Sequence, residues 1–202
     1  SQSIKATSAR VSILKAHQYI NTFPFYLAPY ASSDTRVALT EAGRFAYWLP
    51  GQKFDRVGLN TAEFANTLVS PDAIASLRAD LIFVHIAGNA DFSAYCENNF
   101  CELTADQVRH SMRRNETTWP LISDPVVRAP LAALSHYLVT PEIYQAYAVR
   151  YGSGYHHFYL LRSSGSIQQH DFEWALHKSF EPQCQQTYWQ LRHGSPALSG
   201  QC

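Results

Sequence analysis

Residues 79–88 read ADLIFVHIAG, an almost continuous apolar run. A run this short without a polar parity predicts a strand covered on both faces rather than one face open to water. This requires a sheet with packed layers on either side. A second segment, Tyr155 to Arg162 (YHHFYLLR), makes the same demand, because Phe158 and Leu160 on one parity are as apolar as Tyr159 and Leu161 on the other. At 202 residues, 46% of them hydrophobic and 13% aromatic, the chain can supply such layers within one domain spanning 1–202.

The other predicted elements are interspersed around these two strands. A helix is expected over residues 1–22, in a peripheral position, and Pro24 and Pro29 then predict an extended aromatic segment, FPFYLAPY. Residues 35–40 and 44–49 alternate as two short strands around a turn at 41–43. Cap signals open helices near Asn60, Ser70, Thr104, Asp124 and Thr140, the last carrying EIYQAYAVRY. HDFEWALHKSF reads as a short helix and QTYWQLR as a closing strand. No regular strand–helix–strand period emerges. The fold class expected is α+β, with a mixed or antiparallel sheet of about five strands packed with several helices.

Four cysteines allow three pairings. Sequential bridges, Cys96 to Cys101 and Cys184 to Cys202, close local loops, and the second tethers a tail over 184–202. The spacing of the second pair is far too wide for a zinc site built from two close pairs. A disulfide-stabilised chain implies a periplasmic or secreted protein. Sixteen basic residues balance sixteen acidic ones, so no electrostatic argument favours nucleic acid, and no apolar stretch reaches the length of a membrane span.

Four of the nine histidines fall between residues 155 and 178. His156 and His157 point to opposite faces of a strand and cannot share an ion. On a helix, His170, Glu173 and His177 share one side at spacings of three and four, a pattern suited to acid–base work. The candidate catalytic residues are therefore His170, Asp171 and His177, with His157 and Arg162 as substrate contacts. The metalloprotease H-E-x-x-H, the G-x-S-x-G elbow and the phosphate-binding glycine loops are all missing, so neither metal nor cofactor is expected.

Two functions follow. One is an extracytoplasmic binding or assembly module of the cell envelope or a secretion system. It would act through an aromatic and Arg surface, with Phe23, Phe25, Tyr26 and Tyr30 as anchors. The other is a secreted or periplasmic hydrolase of an envelope or extracellular polymer, using the site at 170–177. The absence of a complete catalytic motif puts the binding module first and leaves enzymatic activity undecided. The partner is a protein or an envelope polymer.

Overall fold

The structure is a computed structural model, and it describes residues 18–39, 44–55, 75–85, 94–108, 110, 143–152 and 154–182. The expected elements at 1–17, 60–69, 126–139 and 186–192, and the Cys184 to Cys202 bridge, lie outside the described residues.

Among the described residues, six strands form one mixed sheet: β1 (Arg36–Leu39), β2 (Gln52–Asp55), β3 (Leu81–His85), β4 (Phe100–Leu103), β5 (Tyr144–Tyr151) and β6 (Gly154–Arg162), in the order β2-β1-β3-β6-β5-β4. β1 lies parallel to both β2 and β3, while the pairs β3–β6, β6–β5 and β5–β4 are antiparallel. The fold is thus α+β, and both strongly apolar runs are interior strands. In β3, Leu81, Ile82, Phe83 and Val84 are all buried, and in β6 burial is unbroken from His157 to Leu161. One sheet face packs Ile82, Val84, Ala146, Phe158 and Leu160; the other packs Phe83, Tyr147, Val149, Tyr159 and Leu161.

The second face is covered by helix α1 (Gln18–Leu27) and helix α3 (Gln169–Phe180). Here the structure corrects the sequence reading. FPFYLAPY is not extended: α1 runs through Pro24 to Leu27, and a short 3₁₀ turn follows over Ala28–Tyr30. Tyr19, Phe23, Tyr26 and Leu27 fall at i, i+4, i+7 and i+8, and all four are buried. Burying them contributes about 2 kcal/mol each, against a helix-interior proline cost of about 3 kcal/mol. Packing outweighs the propensity signal.

Arg44–Trp48 is likewise a helix, α2, rather than a strand. Phe45 and Leu49 are buried one turn apart, and the Leu49 amide donates to the Phe45 carbonyl at 3.3 Å. The expected hairpin is instead a parallel β1–α2–β2 unit. It turns at Gly51, whose φ of +103° and 2.1 Å approach of a hypothetical Cβ to the Thr35 carbonyl oxygen exclude any side chain. Within EIYQAYAVRY, Tyr144–Tyr151 is not a helix but β5, held between β4 and β6. Its interior, Ala146 to Val149, is buried on both faces, which erases the period-two pattern that marks a half-exposed strand.

Other expectations hold. β6 and α3 lie where the sequence places them. The Thr104 capping box forms, with the Gln107 amide donating to Thr104 Oγ1 at 3.3 Å and the Thr104 amide to Gln107 Oε1 at 2.8 Å. The Cys96–Cys101 disulfide is present, with Cα atoms 5.6 Å apart. Among the described residues no helix is long and apolar enough to cross a membrane.

Candidate functional site

The strand directions bring the C-terminal ends of β3 and β5 and the N-terminal ends of β4 and β6 to one edge of the sheet. At this edge the register pairs Val149 with His157 but Tyr151 with Gly154, so β6 carries one extra residue there. The bulge moves Tyr155 off the parity of His157 and into the core with Phe158 and Leu160. His156 folds over Gly154, and its Nδ1 is buried without a hydrogen-bond partner among the described residues.

Above the edge lies a cleft of about 660 Å³. One wall is the disulfide loop, contributing Glu97, Asn98, Asn99 and Phe100; the other is formed by Arg150, His177 and Phe180. The loop is fixed from below. The Tyr155 hydroxyl donates to the carbonyls of Cys96 and Asn98, and the Arg150 amide donates to the Asn99 carbonyl at 2.7 Å.

The predicted residues separate in space. His177 reaches the cleft, with its ring edge-on to Phe100 at 4.7 Å. His170 is two helical turns away, about 10 Å along α3. Its side chain is 82% exposed and its Nε2 lies 3.1 Å from Asp171 Oδ1. Glu173, expected between the two histidines, is engaged by the sheet: it accepts from the Tyr147 hydroxyl and from Gln169 Nε2, both at 2.9 Å. Burial first, and then this bond, push the Tyr147 phenol far above its ordinary pKa.

His157 is buried in the core, with Nδ1 2.5 Å from the Tyr19 hydroxyl and its ring stacked on Tyr151 at 4.0 Å. Arg162 stands at the opposite end of β6, where its guanidinium donates to the Arg78 carbonyl at 3.0 Å. The two expected substrate contacts therefore do not meet. The polar loop between β6 and α3 is docked as well, through Ile167, which is buried, and Ser166, whose Oγ lies 2.9 Å from Thr35 Oγ1.

The four aromatic anchors divide between core and surface. Phe23 is wholly buried and Tyr26 nearly so; Phe25 and Tyr30 are half-buried. Around them runs a continuous string of rings. Tyr47 meets Trp48 at 5.1 Å, Trp48 meets Phe25 at 6.3 Å, and Phe25 meets Tyr26 at 5.5 Å. Trp174 then touches Tyr26 at 6.1 Å and Tyr30 at 5.8 Å. Tyr47 is 79% exposed, and Trp48 and Trp174 remain more than a third exposed.

Sequence reasoning missed Tyr47, Trp48 and Trp174 on this face, and Glu97, Asn98, Asn99, Phe100, Arg150 and Phe180 in the cleft. ENNF between two close cysteines was the usable signal, since a short disulfide-closed loop presents its residues outward. Arg150 was hidden by the helical reading of β5.

Fold and surface define the chain as a disulfide-stabilised α+β domain with an aromatic face and a polar cleft. Comparison with family models, curated proteins and solved structures gave no match.

Proposed function

We propose that the chain is an extracytoplasmic binding or assembly module of the cell envelope or a secretion system, and that it engages a protein partner through the aromatic face built by α1, α2 and α3. The observation that carries this reading is the string from Tyr47 through Trp48, Phe25, Tyr26 and Trp174 to Tyr30, with its two tryptophans partly open to water. Trp and Tyr are the residues on which interface energy concentrates. Isolated exposed rings need no explanation, whereas a connected set on three helices does. The Cys96–Cys101 bridge supports placement outside the reducing cytoplasm.

The hydrolase reading stands second. It rests on the His170–Asp171 pair at 3.1 Å, which is separated from the cleft histidine.

Polar replacement of Phe23 or Leu27 would unfold the core, so the test uses Tyr47→Ser, Trp48→Ser and Trp174→Ser together. Quantitative co-purification from an envelope extract is expected to lose specific partners in the triple variant while the melting temperature holds. An unchanged partner set removes the proposal.

A further inference from the structure

The cleft beside the disulfide loop is separate from the aromatic face, and its chemistry is different. Its loop wall is rigid, because the Cys96–Cys101 bond closes the loop and Tyr155 holds two of its carbonyls. Arg150 is pre-positioned by the same tyrosine: its guanidinium lies over the Tyr155 ring at 5.2 Å and donates to the hydroxyl at 3.4 Å. Arg150 is exposed, and its guanidinium makes no other hydrogen bond among the described residues. Most of its five N–H donors therefore remain available in a fixed fork.

Across the cleft, Phe180 is held flat by stacking on Tyr19 at 4.9 Å and 10°. Phe100 is braced by the His177 ring.

The lining selects by charge. Among the described lining residues Glu97 and Arg150 cancel, and Asn98 and Asn99 each offer both a donor and an acceptor. A strong anion would meet Glu97 and the carbonyl end of α3, and a cation would meet Arg150. Hydroxyl groups suit every polar position, since each can donate and accept. The C–H face of a sugar ring suits the rigid aromatic rings. The volume of 660 Å³ falls within the range of small-molecule sites, about 300–1,000 Å³.

We propose that this cleft binds an uncharged glycan, with the Arg150 fork and the Asn98 and Asn99 carboxamides on its hydroxyls and Phe100 and Phe180 against a ring face. The proposal does not depend on the aromatic face having a partner.

The test is an amide-resolved NMR titration of the intact protein with neutral glucose, mannose and N-acetylglucosamine hexamers, and with a galacturonic acid hexamer as the charged comparison. At least one neutral hexamer is expected to give saturable shifts at Asn98, Asn99, Phe100, Arg150 and His177. Asn98→Ala, which keeps the backbone carbonyl held by Tyr155, and Arg150→Gln are each expected to weaken that binding about tenfold. Three results overturn the proposal: no saturable shift at these amides up to about 10 mM of any neutral hexamer, tighter binding of the charged hexamer, or shifts confined to Tyr47, Trp48 and Trp174. The first two leave co-purification through the aromatic face untouched, and the third places the sugar on that face without removing its protein partner, so the two proposals fail separately.

Discussion

The hydroxyl of Tyr19 lies 2.5 Å from Nδ1 of His157 and 2.8 Å from the hydroxyl of Tyr159. Tyr19 sits on α1, the other two residues on β6, and all three are buried. The bonds tie together segments 138 and 140 residues apart and fix where the first turn of α1 lands on the sheet. The same ring stacks on Phe180, so α1, β6 and the end of α3 share one side chain.

Tyr19→Phe keeps the ring and its packing but deletes both bonds. A buried polar group that loses a partner costs about 1–3 kcal/mol, and that loss is expected for the substitution. Adding His157→Phe is expected to restore part of it, because no imidazole then needs the bond and a phenyl ring can still stack on Tyr151. Urea unfolding of the two single variants and the double variant measures the coupling. Strict additivity would show that the bond contributes nothing.

The disulfide loop makes a second prediction. Closing a loop of this length stabilises the fold by about 2 kcal/mol in the chain-entropy account, and reduction should lower the unfolding free energy by that amount. Tyr155→Phe removes the hydroxyl that holds the Cys96 and Asn98 carbonyls and should cost a further 1–2 kcal/mol, roughly. It should also speed reduction of the bridge. Peptide mass mapping with and without reductant reads the pairing and its rate together. An unchanged rate in the variant would mean that the Tyr155 hydroxyl does not protect the bridge.

Much of this frame was legible in the sequence where burial leaves a one-dimensional trace. The runs around β3 and β6 read correctly because a strand inside a two-faced sheet must be apolar throughout. α3 and the Thr104 cap read correctly because their signals are local. β5 failed for the reason β3 succeeded: with Tyr, Ala and Val buried on both faces, its periodicity vanished, and the cap signal at Thr140 then suggested a helix. Pro24 misled in the opposite sense, since four buried side chains on α1 outweigh one awkward ring. The site was less legible. Adjacency of His170 and Asp171 is visible in a string of letters, but the approach of Arg150 and His177 to Asn98 depends on register and on a bulge.

Alkaline pH gives a third prediction. Burial, helped by the charge on Glu181, pushes the Tyr26 phenol up to about 12. Burial also raises Tyr147 and Tyr144. Unfolded tyrosines ionise near 10, so the native state holds these protons more tightly than the unfolded chain. The stability linked to all three is fully present below about pH 10, and the share of Tyr26 is lost as pH rises through about 12. Lys53, lowered by burial, acts in the other direction, adding stability as pH climbs toward the ordinary lysine range. Three tyrosines against one lysine set the sign. The melting temperature is expected to fall above pH 10, roughly, and Tyr147→Phe should flatten that fall. An equally steep fall in the variant would exclude Tyr147 as a contributor.

His170 and His177 allow the hydrolase reading to be tested without a known substrate at the outset. His170 is exposed and, among the described residues, pairs only with its neighbour Asp171, a surface contact of the kind worth about 0–1 kcal/mol. His177 is exposed in the last turn of α3, where a positive side chain gains at most about 1 kcal/mol from the helix carbonyls. His170→Ala and His177→Ala should therefore leave the melting temperature within a few degrees of the parent, since about 1 kcal/mol shifts a chain of this size by about 2–4 °C. Stability being nearly silent, activity becomes the informative readout. A shared acid–base site requires both variants to lose turnover on envelope polymers, whereas glycan binding in the cleft requires only His177→Ala to weaken the sugar complex. Loss of turnover in both variants, with sugar binding intact, would favour the hydrolase reading over glycan binding in the cleft. Binding lost at His177 alone, with no turnover to begin with, leaves the chain a binding module.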